Sequence, residues 1–285
     1  MLKIVTDSSA DLPIEVIKKY DITVIPLKLH INGKTYKDSF EYDSYKFYEE
    51  LRGLEELPTT SQPSPLEFCD VYKSLKSKGA TTILSLHLSS KLSGTYQAAL
   101  LAKNIVVKDG IKVEVIDSKT VSCGLMAIVI AVAKYILLGK SLEECLAFTF
   151  DCIRKNKVFV ILDTLKYLEK GGRIGKAKAA LGTLLNIIPI LSLDESGQII
   201  ILDKVRGKVK AFKHLVELIC SSIPKDKSVF VSIVHSANEE KAYELLSEIS
   251  SVYDVKESVV NILGPVIGTH AGPKALACAL LQEEV

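Results

Sequence analysis

Between residues 81 and 103 the chain reads TTILSLHLSSKLSGTYQAALLAK, and its hydrophobic period changes half-way along. Ile83, Leu84, Leu86 and Leu88 form an apolar run of strand length. From Ser93 onward Tyr96, Ala99, Leu100 and Lys103 follow at helical spacing. Ser89, Ser90, Ser93, Gly94 and Thr95 crowd the join. A strand turning at once into a helix leaves hydroxyls and free backbone N–H groups at its carboxyl end, where open α/β sheets bind anions. Serine and threonine are also ordinary helix caps, so the stretch permits an oxyanion site without requiring one.

The same alternation runs through the first 156 residues. Ile4 and Val5 lead into Thr6-Asp7-Ser8-Ser9, and Pro13 suits the first turn of a helix ending near Lys19. Ile22 to Ile31 reads as one long strand, and Asn32-Gly33 as a hairpin turn. A helix over Tyr42 to Arg52 and a rigid loop over Leu57 to Pro65 follow, closed by a capping box of Ser64 and Glu67. Lys112 to Asp117 is a strand. Cys123 to Leu138 is a helix apolar nearly all round, hence buried or lining a cavity. Ser141 and Glu144 cap the next helix. This pattern predicts a parallel, layered α/β domain over 1–156.

From Lys157 the order changes. A strand over Val158 to Asp163 and a helix over Lys176 to Asn186 precede a hairpin of Ile190–Leu193 and Ile199–Val205. Further helices and strands lead to a glycine-rich loop, Gly264 to Pro273, and a final helix. Hairpin-like strands separated by helices predict an α+β domain over 157–285 with a mixed or antiparallel sheet, its last helix packing back on the first domain.

Of 285 residues, 25% are charged and the formal net charge is +2, too mild for a nucleic-acid partner. The six cysteines show no zinc-ligand spacing and read as free thiols in a reducing cytosol. A strand begins directly after Met1, leaving no room for a signal peptide, and Lys134 interrupts the longest apolar helix. The expectation is a cytoplasmic protein with no stable membrane insertion and no metal.

Chemistry is sought where polar loops converge: Thr6–Ser9, Thr59–Ser64, Ser89–Thr95, Asp117–Thr120 and Gly264–Pro273. Asp7 and Asp117 are their only acids, too few for a metal or a carboxylate pair. Neither a GxxxxGK[ST] phosphate loop nor a GxSxG elbow occurs. His270 lies between small residues, where a ring would stand open in a cleft. Arg173 and Arg206 both adjoin glycine. Surface solvation is the ordinary reading of Arg173, whereas Arg206 is placed to fork onto a carboxylate or phosphate. Lys166, Lys170, Arg173, Lys176 and Lys178 form a basic stretch, either a solvated face or a docking patch near the Gly171-Gly172 break. One enzymatic reading stays open: a hydrolase or acyltransferase with Ser93 as nucleophile, His270 as base, and Asp7 or Asp117 orienting it.

The set TDSSADLP, TTSQPSP, SSKLSGTYQAA, DSKTVSCG, LKYLEKGGRIG, KVRGKVKA and GPVIGTHAGP, in that order, resembles the DegV family of fatty-acid-binding proteins. The match runs from residue 3 to the last predicted element. The resemblance implies two α/β domains with a lipid cleft at their interface and a long-chain fatty acid, but no other cofactor, as ligand. Its carboxylate would be held by Thr60 and Ser61 of TTSQ and by Ser93 and Gly94 of SGTYQ, with His270 and Arg206 nearby. It further implies a non-catalytic carrier that presents the acid to a separate ATP-dependent fatty acid kinase subunit for phospholipid synthesis. Lys170, Arg173 and Lys176 are the candidate partner contacts on charge clustering alone, if the basic stretch is a docking patch and not a solvated face. Two positions depart from the family pattern: Ile188 replaces a usual lysine before Pro189, and Lys274 replaces a usual glycine.

Overall fold

The computed structural model describes residues 1–180 and 187–283. The first half runs β1 (Leu2–Asp7), α1 (Ile14–Lys19), β2 (Thr23–Ile25), β3 (Lys28–Ile31), β4 (Lys34–Lys37), α2 (Ser44–Leu51), β5 (Thr59–Ser61), α3 (Pro65–Ser77), β6 (Thr82–His87), α4 (Thr95–Val106), β7 (Lys112–Asp117), α5 (Cys123–Leu137) and α6 (Leu142–Lys155). The second runs β8 (Lys157–Ile161), α7 (Lys166–Lys170), β9 (Ile187–Leu193), β10 (Ile199–Arg206), α8 (Lys208–Cys220), β11 (Ser228–His235), α9 (Glu239–Ser250), β12 (Asp254–Ile262), α10 (Pro265–Ala271) and β13 (Leu276–Gln282).

The expected architecture is present. A parallel sheet of order β2-β1-β6-β7 forms the N-terminal α/β region, and a mixed sheet of order β10-β9-β8-β13-β11-β12 forms the C-terminal one. In the second sheet only β11 and β12 run parallel. A small antiparallel sheet, β4-β3-β5, flanks the first, and its hairpin turns through Asn32 and Gly33, both with positive φ. The capping boxes at Ser64 and Ser141 are formed.

The helix α5 joins the two regions. From Cys123 to Ile130 every residue is buried, and one apolar cluster reaches from Ile4 of β1 through α5 to Leu281 of β13. Ser232 of β11 donates to the Cys123 carbonyl at 2.7 Å, fixing the helix entry on the second sheet. A helix packed on both sides has no polar face to spare, which explains its composition.

Four sequence expectations fail. The long strand over 22–31 is two strands in different sheets, because Pro26 brings no N–H to a ladder. The Gly264–Pro273 loop holds α10, and the final helix is instead β13, between β8 and β11 in the second sheet. The run Ala275 to Leu281 has good helix formers, but it is buried throughout; position in mid-sheet overrides propensity. The helix over 176–186 is a 3-10 turn at Gly175–Ala180, and its remainder lies outside the described residues.

Candidate functional site

Where the strand ends of the first sheet face the second, a cavity of about 270 Å³ opens. Leu88, Leu92 and Val121 wall it from the turns after β6 and β7, and Val160, Leu191 and Ala277 from the second sheet. Val266 and Ile267 of α10 close one side. The polar groups in this lining are few. Ser192 is one, and its hydroxyl is already given to the Val158 carbonyl at 2.6 Å.

The others gather around His270, at the end of α10. Its Nε2 lies 2.9 Å from Thr60 Oγ1, while its Nδ1 is buried with no partner. Burial, reinforced by the nearby Arg173 guanidinium, holds the imidazole down to about 4, so it is neutral at pH 7. In the Nε2–H tautomer the ring donates to Thr60, which leaves the threonine proton free for a ligand. A Cβ at Gly171 would overlap Nδ1, so glycine there makes room for the ring.

Arg173 is the single formally charged side chain among the described lining residues. Its Nε donates to the Leu92 carbonyl at 3.1 Å and Nη1 to the Gly171 carbonyl at 2.7 Å. Of five donors, one thereby ties the two regions together, one closes a local turn, and three remain.

Ser93 also lines the cavity. Its Oγ is 2.9 Å from Thr95 Oγ1 and accepts the Thr95 N–H at 3.3 Å, a local serine turn leading into α4. Behind it, Ser89 accepts the Ser93 N–H at 3.2 Å and donates at 2.8 Å to the Gly197 carbonyl in the β9–β10 turn. Ser61 Oγ is engaged with His30 Nε2 at 2.8 Å, so it faces the cavity with its hydroxyl committed. Gly94 acts by steric allowance: a Cβ there would stand 2.6 Å from the amide end of Gln62.

The result is an apolar chamber with one cation, a neutral imidazole and, besides the committed Ser61 and Ser192, the hydroxyls of Thr60 and Ser93 in its wall. That is the complement of an amphiphile with a small anionic head.

Comparison with known proteins gives the same direction. The DegV family model, described as an uncharacterised protein of the DegV family, matches residues 1–283. The chain belongs to the DegV family. A DegV domain-containing protein of Caldanaerobacter subterraneus is 35% identical over 96% of each chain. Among solved structures, a DegV family protein from Thermus thermophilus, described for its fatty acid binding, is 34% identical with a TM-score of 0.92 over 99% of each chain. A stearic acid-binding protein from Eubacterium ventriosum is 26% identical, with a TM-score of 0.91 over 99% of this chain and 98% of its own.

Within this DegV-family site, several sequence expectations are redistributed. Thr60, Ser61, Ser93 and His270 are brought together at the cavity, with Gly94 alongside. Arg206 is not: it is exposed at the end of edge strand β10 and does not belong to the described lining. Arg173, expected either on a solvated face or on an outer docking patch, lines the cavity. Lys170 and Lys176 are exposed, Lys176 paired with Asp194 at 2.5 Å. Gln62 was overlooked, although it stands inside the TTSQPSP motif.

The Ser93–His270–Asp triad is not assembled. His270 bonds Thr60 rather than Ser93. Asp7 is occupied by His87, Ser9 and Leu88, and Asp117 by Lys119 and the Ser90 N–H. Of the two departures, Ile188 is buried opposite Val205 in the β9–β10 ladder, outside the described lining. Lys274 is exposed at φ 60°, a conformation that favours glycine. No helix among the described residues is long and apolar enough to cross a membrane, and no cluster of three metal-ligating side chains occurs among them.

Proposed function

We propose that this protein binds a long-chain fatty acid in the cavity, its carboxylate against Thr60, Ser93 and Arg173 with His270 behind Thr60. It acts in the cytoplasm as a non-catalytic carrier that presents the acid to a separate ATP-dependent fatty acid kinase. The observation that carries the reading is the lining: hydrocarbon-compatible walls with one guanidinium and free hydroxyl capacity grouped around one imidazole. Burying about 15 methylenes at ~0.8 kcal/mol each brings on the order of 12 kcal/mol before binding costs, so a modest polar clamp suffices. Hydroxyls hold a carboxylate while leaving an oxygen lone pair for phosphorylation, which suits a carrier whose cargo is activated in place. The exposed lysines 166, 170, 176 and 178 are the docking surface for an acidic face of the kinase.

Native mass spectrometry and organic extraction of the purified protein test the binding step. Bound C16–C18 acid, or stoichiometric uptake of palmitate or oleate, is expected; neither being found refutes it. Reconstitution with kinase subunit and ATP tests the second step, with salt-sensitive acyl-phosphate formation as the expected outcome.

A further inference from the structure

The helix that carries His270 is seated unusually close to its neighbours. Gly264, Gly268 and Gly272 recur every four residues along α10, and each faces a packed group. A Cβ on Gly264 would stand 2.6 Å from Ser39 Oγ and 3.0 Å from Asp11 Oδ1; one on Gly268 would stand 2.5 Å from the Tyr48 hydroxyl. One on Gly272 would overlap the Tyr167 ring.

Its first turn is held by two carboxyl groups from the opposite region. The Gly264 N–H donates to Asp11 Oδ1 at 2.8 Å and the Val266 N–H to Asp38 Oδ1 at 3.0 Å. Ser122 donates to the second oxygen of Asp11 at 2.5 Å, and Ser8 to that of Asp38 at 2.7 Å. Asn261 donates to the Asp11 carbonyl at 2.7 Å, and Tyr48 to the Leu263 carbonyl at 3.1 Å. Asp11 is 4% exposed and Asp38 fully buried. Neither contacts the cavity, and neither is used in the fatty-acid site as described.

We propose that Asp11 and Asp38 are positioning residues: together they latch the first turn of α10 and thereby hold His270 against Thr60. What the latch serves rests on the fatty-acid reading; the latch itself can be measured without ligand.

Two carboxyls are an unexpected choice for this task, since no cation faces them among the described residues. The titratable groups around them are Asp7 from the β1 turn, Tyr48 from α2 and Cys123 from α5, with Glu15 of α1 exposed at the rim of the adjoining hollow. Burial pushes both carboxyls up, Asp38 to about 6. A carboxyl released to water returns to the ordinary 3.8, so the latched state holds its proton more tightly. The sign follows: acid favours the latched state, and rising pH loosens it until Asp38 is ionised in both states. For Asp38 alone, the opening constant rises about ten-fold from pH 5 to pH 7.5.

The test is amide hydrogen exchange of the peptide 264–271 in the ligand-free protein, corrected for intrinsic rates, at pH 5 to 7.5. Wild type should show at least that ten-fold rise, and Asp38→Asn, which keeps an acceptor for Val266 but cannot titrate, should rise about ten-fold less, since Asp11 still titrates. In Asp38→Ala, the His270 ring should move back toward an ordinary titration by NMR, away from about 4, while the distant β11 and β12 amides stay protected. A wild-type profile flat over this range, an Asp38→Asn profile as steep as wild type, or an unmoved His270 titration in a folded Asp38→Ala would each overturn the latch. Should Asp38→Ala not fold, the Asp38→Asn comparison decides alone. Uptake of palmitate by wild type is scored separately: its failure refutes the ligand and leaves the exchange result standing.

Discussion

Two imidazoles that sit beside hydroxyls, those of His87 and His270, do opposite things. His87, at the end of β6, uses both nitrogens: Nδ1 meets Asp7 Oδ2 at 2.9 Å and Nε2 meets Ser85 Oγ at 2.7 Å. Ser85 continues to the Tyr72 hydroxyl at 2.9 Å, and Asp7 also accepts from Ser9 and from the Leu88 N–H. Tyr72, Ser85, His87 and Asp7 are all without solvent exposure. His270 uses one nitrogen, lines a cavity and leaves the other without a partner. The contrast separates two uses of buried polarity. A saturated network fixes strand ends relative to each other, whereas an incomplete one beside an apolar void has capacity left for a ligand. Atom types alone would have favoured the wrong one, since Ser85, His87 and Asp7 form the serine–histidine–aspartate order that substrate cannot reach.

The largest effect should come from breaking the saturated side. Asp7→Ala strands four donors at once, and urea unfolding should show a loss of about 3 kcal/mol. Fatty-acid affinity of the molecules that remain folded should stay within a few-fold. An unchanged unfolding midpoint would erase the distinction between the two networks.

On the open side the signs reverse: affinity falls and stability holds. Arg173→Gln should cost roughly ten- to a hundred-fold in a fluorescent fatty-acid displacement assay, since a charged partner of the carboxylate is lost. Lys170→Gln, on the exposed stretch, should leave affinity within about two-fold. If Arg173→Gln behaved like Lys170→Gln, the arginine would belong with the docking lysines after all.

Smaller losses sharpen the map of the head group. Thr60→Val and Ser93→Ala each remove one hydroxyl and should weaken retention by about ten-fold. Ser90→Ala should do nothing measurable, because Ser90 is not in the described lining. Equal affinities for the Ser93 and Ser90 variants would show that the loop after β6 is aimed differently.

The smallest effect concerns strain beside the open site. Lys274 holds φ 60° between α10 and β13 without a glycine's freedom. Lys274→Gly should raise unfolding stability by about 1 kcal/mol in urea titrations and leave affinity unchanged. A destabilised variant would mean that the lysine side chain supplies a compensating contact.

The sequence by itself determined the alternation of strands and helices, the parallel first sheet, the apolar all-round α5 and the two capping boxes, because each is a local pattern with a local cause. It also marked Thr60, Ser93 and His270, which stand in short runs of hydroxyls and glycines at element ends. What only tertiary structure decided were matters of neighbourhood. Ala275 to Leu281 has no intrinsic preference strong enough to resist insertion between β8 and β11, so burial made it a strand. Pro26 divided one apolar run between two sheets. Arg173 and Arg206 look alike in sequence, each beside glycine; the first reaches the Leu92 carbonyl across the cavity and the second ends an edge strand in solvent. Asp11 and Asp38 meet α10 more than two hundred residues further along the chain, a pairing that no periodicity records. Local chemistry selects the element, but the partner of a buried polar group is fixed by which chain segments the core brings into contact.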